Sequence, residues 1–85
     1  MTLKLLLLLL VGCDTSVPQS EACAQWVACI DARDDQLGVE TDNDRFLANG
    51  PCWGNPEIGH LCDDACTAGL ELMPDLYSDL PEECL

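Results

Sequence analysis

A chain of 85 residues with sixteen acidic side chains against three basic ones, and a formal charge of −13 at pH 7, is long enough for one small domain and not for two. A field of that sign repels nucleic-acid phosphates and anionic lipid headgroups, which argues against both as partners of the folded surface. Domains of this size bury too little apolar area to outweigh chain entropy by a wide margin, so the seven cysteines must be accounted for before any other residue type.

Residues 1–12 carry the three parts of an export signal: a cationic start at the amino group and Lys4, an apolar core over residues 5–11, and small Gly12 before Cys13. The core is shorter than the roughly 20 apolar residues a spanning helix needs, so cleavage is expected rather than retention in the bilayer. Leu10-Val11-Gly12-Cys13 presents an apolar residue and then smaller ones ahead of a thiol, the pattern that lets a membrane-embedded peptidase grip the backbone. In these residues the segment resembles the lipobox of bacterial lipoprotein precursors, a likeness confined to the first thirteen positions. The resemblance implies a diacylglyceryl thioether on Cys13, cleavage just before it and often a third acyl chain on the new amino terminus. It implies an exported protein whose membrane partner is reached through the lipid on Cys13, in the cell membrane or the outer membrane. Each buried methylene contributes about 0.8 kcal/mol, so two or three chains make a durable anchor. Asp14 after the lipidated position resembles the enterobacterial signal for staying on the inner membrane.

All sixteen acids lie beyond residue 13 and Lys4 does not, so cleavage makes the chain one unit more negative than −13. With Cys13 assigned to lipid, Cys23, Cys29, Cys52, Cys62, Cys66 and Cys84 remain. Their number is even, and export places them where disulfides persist. Residues 14–20 are polar and broken by Pro18, which suits a tether reaching up to ~25 Å from the leaflet. The expected organisation is a signal peptide at 1–12, the lipidated cysteine and tether at 13–20, and a stapled domain at 21–85.

The first helix should start after Ser20, an N-cap residue type followed by Glu21, and end near Asp35, ahead of Gly38. Cys23, Trp26, Val27 and Ile30 recur along it as one apolar stripe, with Trp26 as core. The second helix has Asn55 as N-cap and Pro56 at its first position, and Pro74 should stop it. Ile58, Leu61, Cys62, Ala65, Cys66, Gly69, Leu70 and Met73 make up its apolar face. A short turn around Pro81 is expected in the tail, where Leu76, Tyr77 and Leu80 pack. The fold class is therefore all-α: a small disulfide-rich two-helix hairpin with a long connecting loop and a short C-terminal turn.

If the helices run antiparallel, Cys29 and Cys62 sit at one level and Cys23 lies within about 3 Å of the level of Cys66. That ranks Cys23-Cys66 and Cys29-Cys62 first and leaves Cys52-Cys84 to pin loop and tail. The six-residue step from Cys23 turns Cys29 about 120° around the helix, which leaves Cys52 open as its partner instead.

The remaining candidates concern binding. His60 with Cys62 and Cys66 has the residue types of a copper or zinc site, but Asp63 and Asp64 disfavour thiolates and disulfides use the same sulfurs. The loop over 36–54 is long enough to be functional, and Asp42 and Asp44 within it offer hard oxygen ligands to calcium, though no EF-hand spacing is present. Trp53, beside Cys52, is either core or an aromatic anchor for a partner, and exposure decides between them. His60, the sole histidine, has no nucleophile elbow with it, and no catalytic residues, resident metal or cofactor are expected. The lipobox, the Cys62-Asp63-Asp64-Ala65-Cys66 helix and the Gly50-Pro51-Cys52-Trp53-Gly54 turn together resemble the small cysteine-rich lipoproteins of myxobacterial-type envelopes, a likeness that implies no particular activity. The expected function is a non-enzymatic, acidic, lipid-anchored interaction or surface module of the cell envelope, its protein or envelope partner unidentified. The rival is a metal-binding lipoprotein, with calcium at the acidic loop or copper at His60, Cys62 and Cys66.

Overall fold

A computed structural model describes residues 16–85. The lipobox and Cys13 lie outside the described residues. Two α-helices carry the domain, α1 over Glu21–Leu37 and α2 over Pro56–Leu76, with 3₁₀ turns at Asp44–Phe46, Pro51–Trp53 and Glu82–Cys84 and no strand among the described residues.

Both helices begin where side chains satisfy their free N–H groups. Ser20 Oγ accepts from the Cys23 N–H at 3.1 Å, and Asn55 Oδ1 accepts from the Ile58 N–H at 2.9 Å, with Pro56 fixing the first turn of α2. α1 ends at Leu37, two residues beyond Asp35, and the following Gly38, with a φ of 68°, reverses the chain. There the Asp34 carbonyl accepts from the Val39 N–H at 3.1 Å, and its carboxylate holds Thr41 through both the backbone N–H and Oγ1, each at 2.8 Å. A left-handed residue is what such a stop requires, and glycine adopts it without steric cost.

Pro74 does not stop α2, which continues to Leu76. A proline in mid-helix costs about 3 kcal/mol, but in the last turn it deletes a single bond, to the Leu70 carbonyl. The turn is closed downstream by the Tyr77 N–H to the Met73 carbonyl at 3.0 Å, on a Met73 that is 4% exposed. The Arg33 guanidinium lies 3.9 Å from the centroid of the Tyr77 ring and fastens this end to α1.

The helices run in the same direction, so the pair is not a hairpin. Cys23 is bonded to Cys66, Trp26 lies against Gly69, Ile30 clusters with Met73, and Arg33 covers Tyr77. Each step of three or four residues along α1 is matched by a forward step of three or four along α2 and its cap. A parallel pair obliges its connection to run back the whole length of α1, about 25 Å at 1.5 Å per residue. That return is the reason for the long loop. Its Phe46 carbonyl accepts from Gln19 Nε2 at 2.8 Å, and its Trp53 carbonyl from the Val17 N–H at 2.9 Å, so the segment arrives beside the start of α1.

Direction also decides the disulfides, which are Cys23–Cys66, Cys29–Cys84 and Cys52–Cys62. The Cys29-Cys62 and Cys52-Cys84 pairings expected from an antiparallel pair are both replaced. Cys62 lies beside Cys23, whose Sγ is 3.2 Å from the Cys62 carbonyl oxygen. Cys29 is six residues further on, about 9 Å along the axis and turned about 120° around it. It is therefore level with Met73, where the tail folds back and brings in Cys84. Cys52, one turn ahead of α2, takes Cys62 through a Cα–Cα distance of 6.0 Å.

The sulfurs centre two clusters. Cys23, Cys52, Trp53 and Cys66 form the first, with Val17 and Phe46 packed on it; Cys29, Ile30, Met73 and Cys84 form the second, with Leu70 and Leu80. Trp26 packs against both. It can do so because Gly69 opposes it: a Cβ there would stand 2.8 Å from the Trp26 ring. Gly69→Val is accordingly expected to destabilise the domain by about 1–3 kcal/mol through overpacking. Adding Trp26→Ala should cost less in that background than alone, a coupling that a double-mutant cycle in urea reads directly.

Candidate functional site

Trp53, the proposed aromatic anchor, is 4% exposed and belongs to the first cluster. Its Nε1–H donates to the Leu47 carbonyl at 2.9 Å, so both the apolar body and the polar tip of the ring are satisfied inside the domain. Burial removes it as a partner contact. The adjoining cavity of about 290 Å³, lined by Ser16, Val17, Asn49, Gly50 and Trp53, is shallow and open.

The metal candidates separate as well. Cys62 and Cys66 are bonded to Cys52 and Cys23, which leaves no thiolate pair beside His60. His60 Nε2 is 3.5 Å from Asp64 Oδ2, with the two side chains 74% and 64% exposed, a solvated contact one helical turn apart. In the loop, Asp42 Oδ1 accepts from the Asp44 N–H at 3.1 Å, so this carboxylate caps its own turn. Between them Asn43 is 8% exposed and keeps an unpartnered Nδ2, a donor that calls for an acceptor and not for a cation. Among the described residues no group of three or more His, Cys, Asp or Glu side chains is placed to hold a metal ion. No helix among them is long and apolar enough to cross a membrane.

Residues 16–20, expected as tether, belong in part to the domain. Val17 is bonded to Trp53 and packs where a Cβ at Gly59 would be 2.9 Å from its Cγ2, and Gln19 is held by Phe46. From Cys13 to Val17 an extended chain spans at most ~14 Å, about half the reach of the longer tether.

The surface itself carries two signals. One is charge: among the described residues fifteen acids face two basic side chains, Arg33 and Arg45, of which Arg33 is engaged with Tyr77. Self-repulsion of this kind is screened by salt, with a Debye length of about 10 Å at 0.1 M. The melting temperature is therefore expected to rise by several degrees between about 20 mM and about 500 mM NaCl, since about 1 kcal/mol moves a domain of this size by roughly 4–8 °C. A flat or falling dependence would contradict it. The other signal is apolar: Leu61, Leu72 and Leu76 are 66%, 52% and 64% exposed. Sequence periodicity places Leu61 on the buried face with Cys62 and Cys66, and the structure turns it outward. No protein-family model, curated protein or solved structure matches this chain.

Proposed function

We propose that the mature protein is a small acidic lipoprotein of the bacterial cell envelope, held by acyl chains on Cys13, whose stapled helical domain is a non-catalytic interaction module. The observation that supports this reading is the complete pairing of the cysteines beyond residue 13. Three bridges suit an oxidising compartment, and they leave Cys13 as the odd sulfur of the seven. A thioether to lipid gives it a use that a free thiol in an exported protein would lack. The short span from Cys13 to Val17 then keeps the domain close against the leaflet. Its negative field holds the protein surface off anionic headgroups, so attachment depends on the lipid alone.

The test is expression of the whole chain in a bacterial host, with and without Cys13→Ala, followed by membrane fractionation and mass measurement of the amino-terminal peptide. Wild type should partition with membranes and carry acyl mass on Cys13, and the variant should do neither. Equal partitioning of the two with no acyl mass would overturn the reading.

A further inference from the structure

The outward side of α2 is apolar over its whole length. Ile58, Leu61, Ala65, Ala68, Leu72 and Leu76 follow one another at steps of three, four, three, four and four, and all six are exposed. At 100° per residue they occupy an arc of about 80°, a seam about 27 Å long from Ile58 to Leu76. The seam is distinct from the side that packs on α1, where Gly59, Cys66 and Met73 are buried. Along its free edge Glu57, Asp64 and Glu71 stand seven residues apart, with Asp75 completing the row, and all four are exposed. At the amino-terminal end, Ile58 and Cys62 open onto a depression of about 320 Å³ shared with Arg45, Pro51 and Cys52.

We infer that this seam is a docking surface for a cationic amphipathic helix of a protein partner, with apolar side chains at heptad spacing and lysine or arginine on the flank that meets the acidic row. Spacing and charge both enter the assignment. A seam repeating at three and four residues is matched by a helix with the same repeat, whose knobs enter the holes between Leu61, Ala65, Ala68 and Leu72. The small side chains at Ala65 and Ala68 let a partner backbone come close at the middle, and the depression at Ile58 receives one larger apolar anchor. The acidic row sets the sign of the flank. A second copy of this chain would bring like rows and two strongly negative domains together, and anionic membrane meets the same repulsion. The inference rests on the interaction-module reading of the domain and is indifferent to whether lipid is attached.

The test uses the full disulfide-bonded chain in detergent, titrated with two fluorescent helical peptides that share leucine and isoleucine at the seam positions. One carries lysine on the flanks and the other carries glutamate. The lysine peptide should bind, weaken at high salt, and lose at least tenfold in affinity to Leu61→Ser/Leu72→Ser, while Glu83→Gln on the tail changes it less than twofold. Asp64→Lys/Glu71→Lys should transfer the preference to the glutamate peptide. Near-UV circular dichroism and three intact bridges show that each variant is folded. The inference falls if the serine variant binds as wild type does, if both peptides bind alike, if the seam instead mediates dimers in sedimentation equilibrium, or if the same changes abolish binding to phosphatidylcholine vesicles. Acyl mass on Cys13 together with failure of the peptide would remove only this inference. A bare Cys13 with the peptide result intact would remove only the anchor.

Discussion

Removing Cys29–Cys84 by paired alanine substitution is expected to lower stability by about 4 kcal/mol, removing Cys23–Cys66 by nearly as much, and removing Cys52–Cys62 by about 2–3 kcal/mol. The order follows from the loops the bridges close, with sequence separations of 55, 43 and 10 residues. A longer closed loop takes more entropy from the unfolded chain. Packing acts in the same direction. Cys29 and Cys23 are fully buried at the centres of the two clusters, whereas Cys62 is half-buried at the domain edge. A small domain has a total stability of about 5–15 kcal/mol at most, so either long bridge is worth a large part of it. Urea titrations of the three paired variants, followed by tryptophan fluorescence, measure the order. Stepwise reduction should open Cys52–Cys62 first, because only that bridge includes a cysteine that is not fully buried. Equal losses from all three variants would contradict the loop-closure account.

Trp53→Ala is expected to cost about 3–5 kcal/mol, the range for emptying a large aromatic site in a core. The ring closes the first cluster against Val17, Cys52 and Gly59, and its N–H is the bond that holds the loop at Leu47. Trp53→Phe separates the two contributions: it keeps most of the apolar contact and gives up one hydrogen bond, so it should lose only about 1–2 kcal/mol. Both are read from urea midpoints, with Trp26 as the remaining fluorophore. A Trp53→Ala protein as stable as wild type would return this residue to the surface and to partner binding.

The helix starts were legible because their signals are local. Ser20 and Asn55-Pro56 need only their own neighbours to act, and the structure puts both helices where they point. Direction was not legible, since the apolar period of a helix reads the same from either end. Two signs of it were present nonetheless. An antiparallel pair closes with a few residues, so a loop over 36–54 is longer than a hairpin needs, and Cys29 sits about 120° away from Cys23. Together they point to a parallel pair whose first helix sends Cys29 to a third element. The apolar residues of α2 span two sides, one buried through Cys66 and Met73, the other exposed through Leu61 and Leu72. Periodicity marks an arc, but what covers the arc depends on where the neighbour lies. Trp53 was undecided for the same reason, since its burial is a product of the returning loop.

The proposal of a stapled, lipid-anchored domain comes down to the state of seven sulfurs. A mass map of peptides from the unreduced, membrane-extracted protein reads them all at once. It should show Cys23 linked to Cys66, Cys29 to Cys84 and Cys52 to Cys62, with Cys13 at the amino terminus bearing acyl chains. A free or bridged Cys13, or Cys29 linked to Cys62, would contradict it.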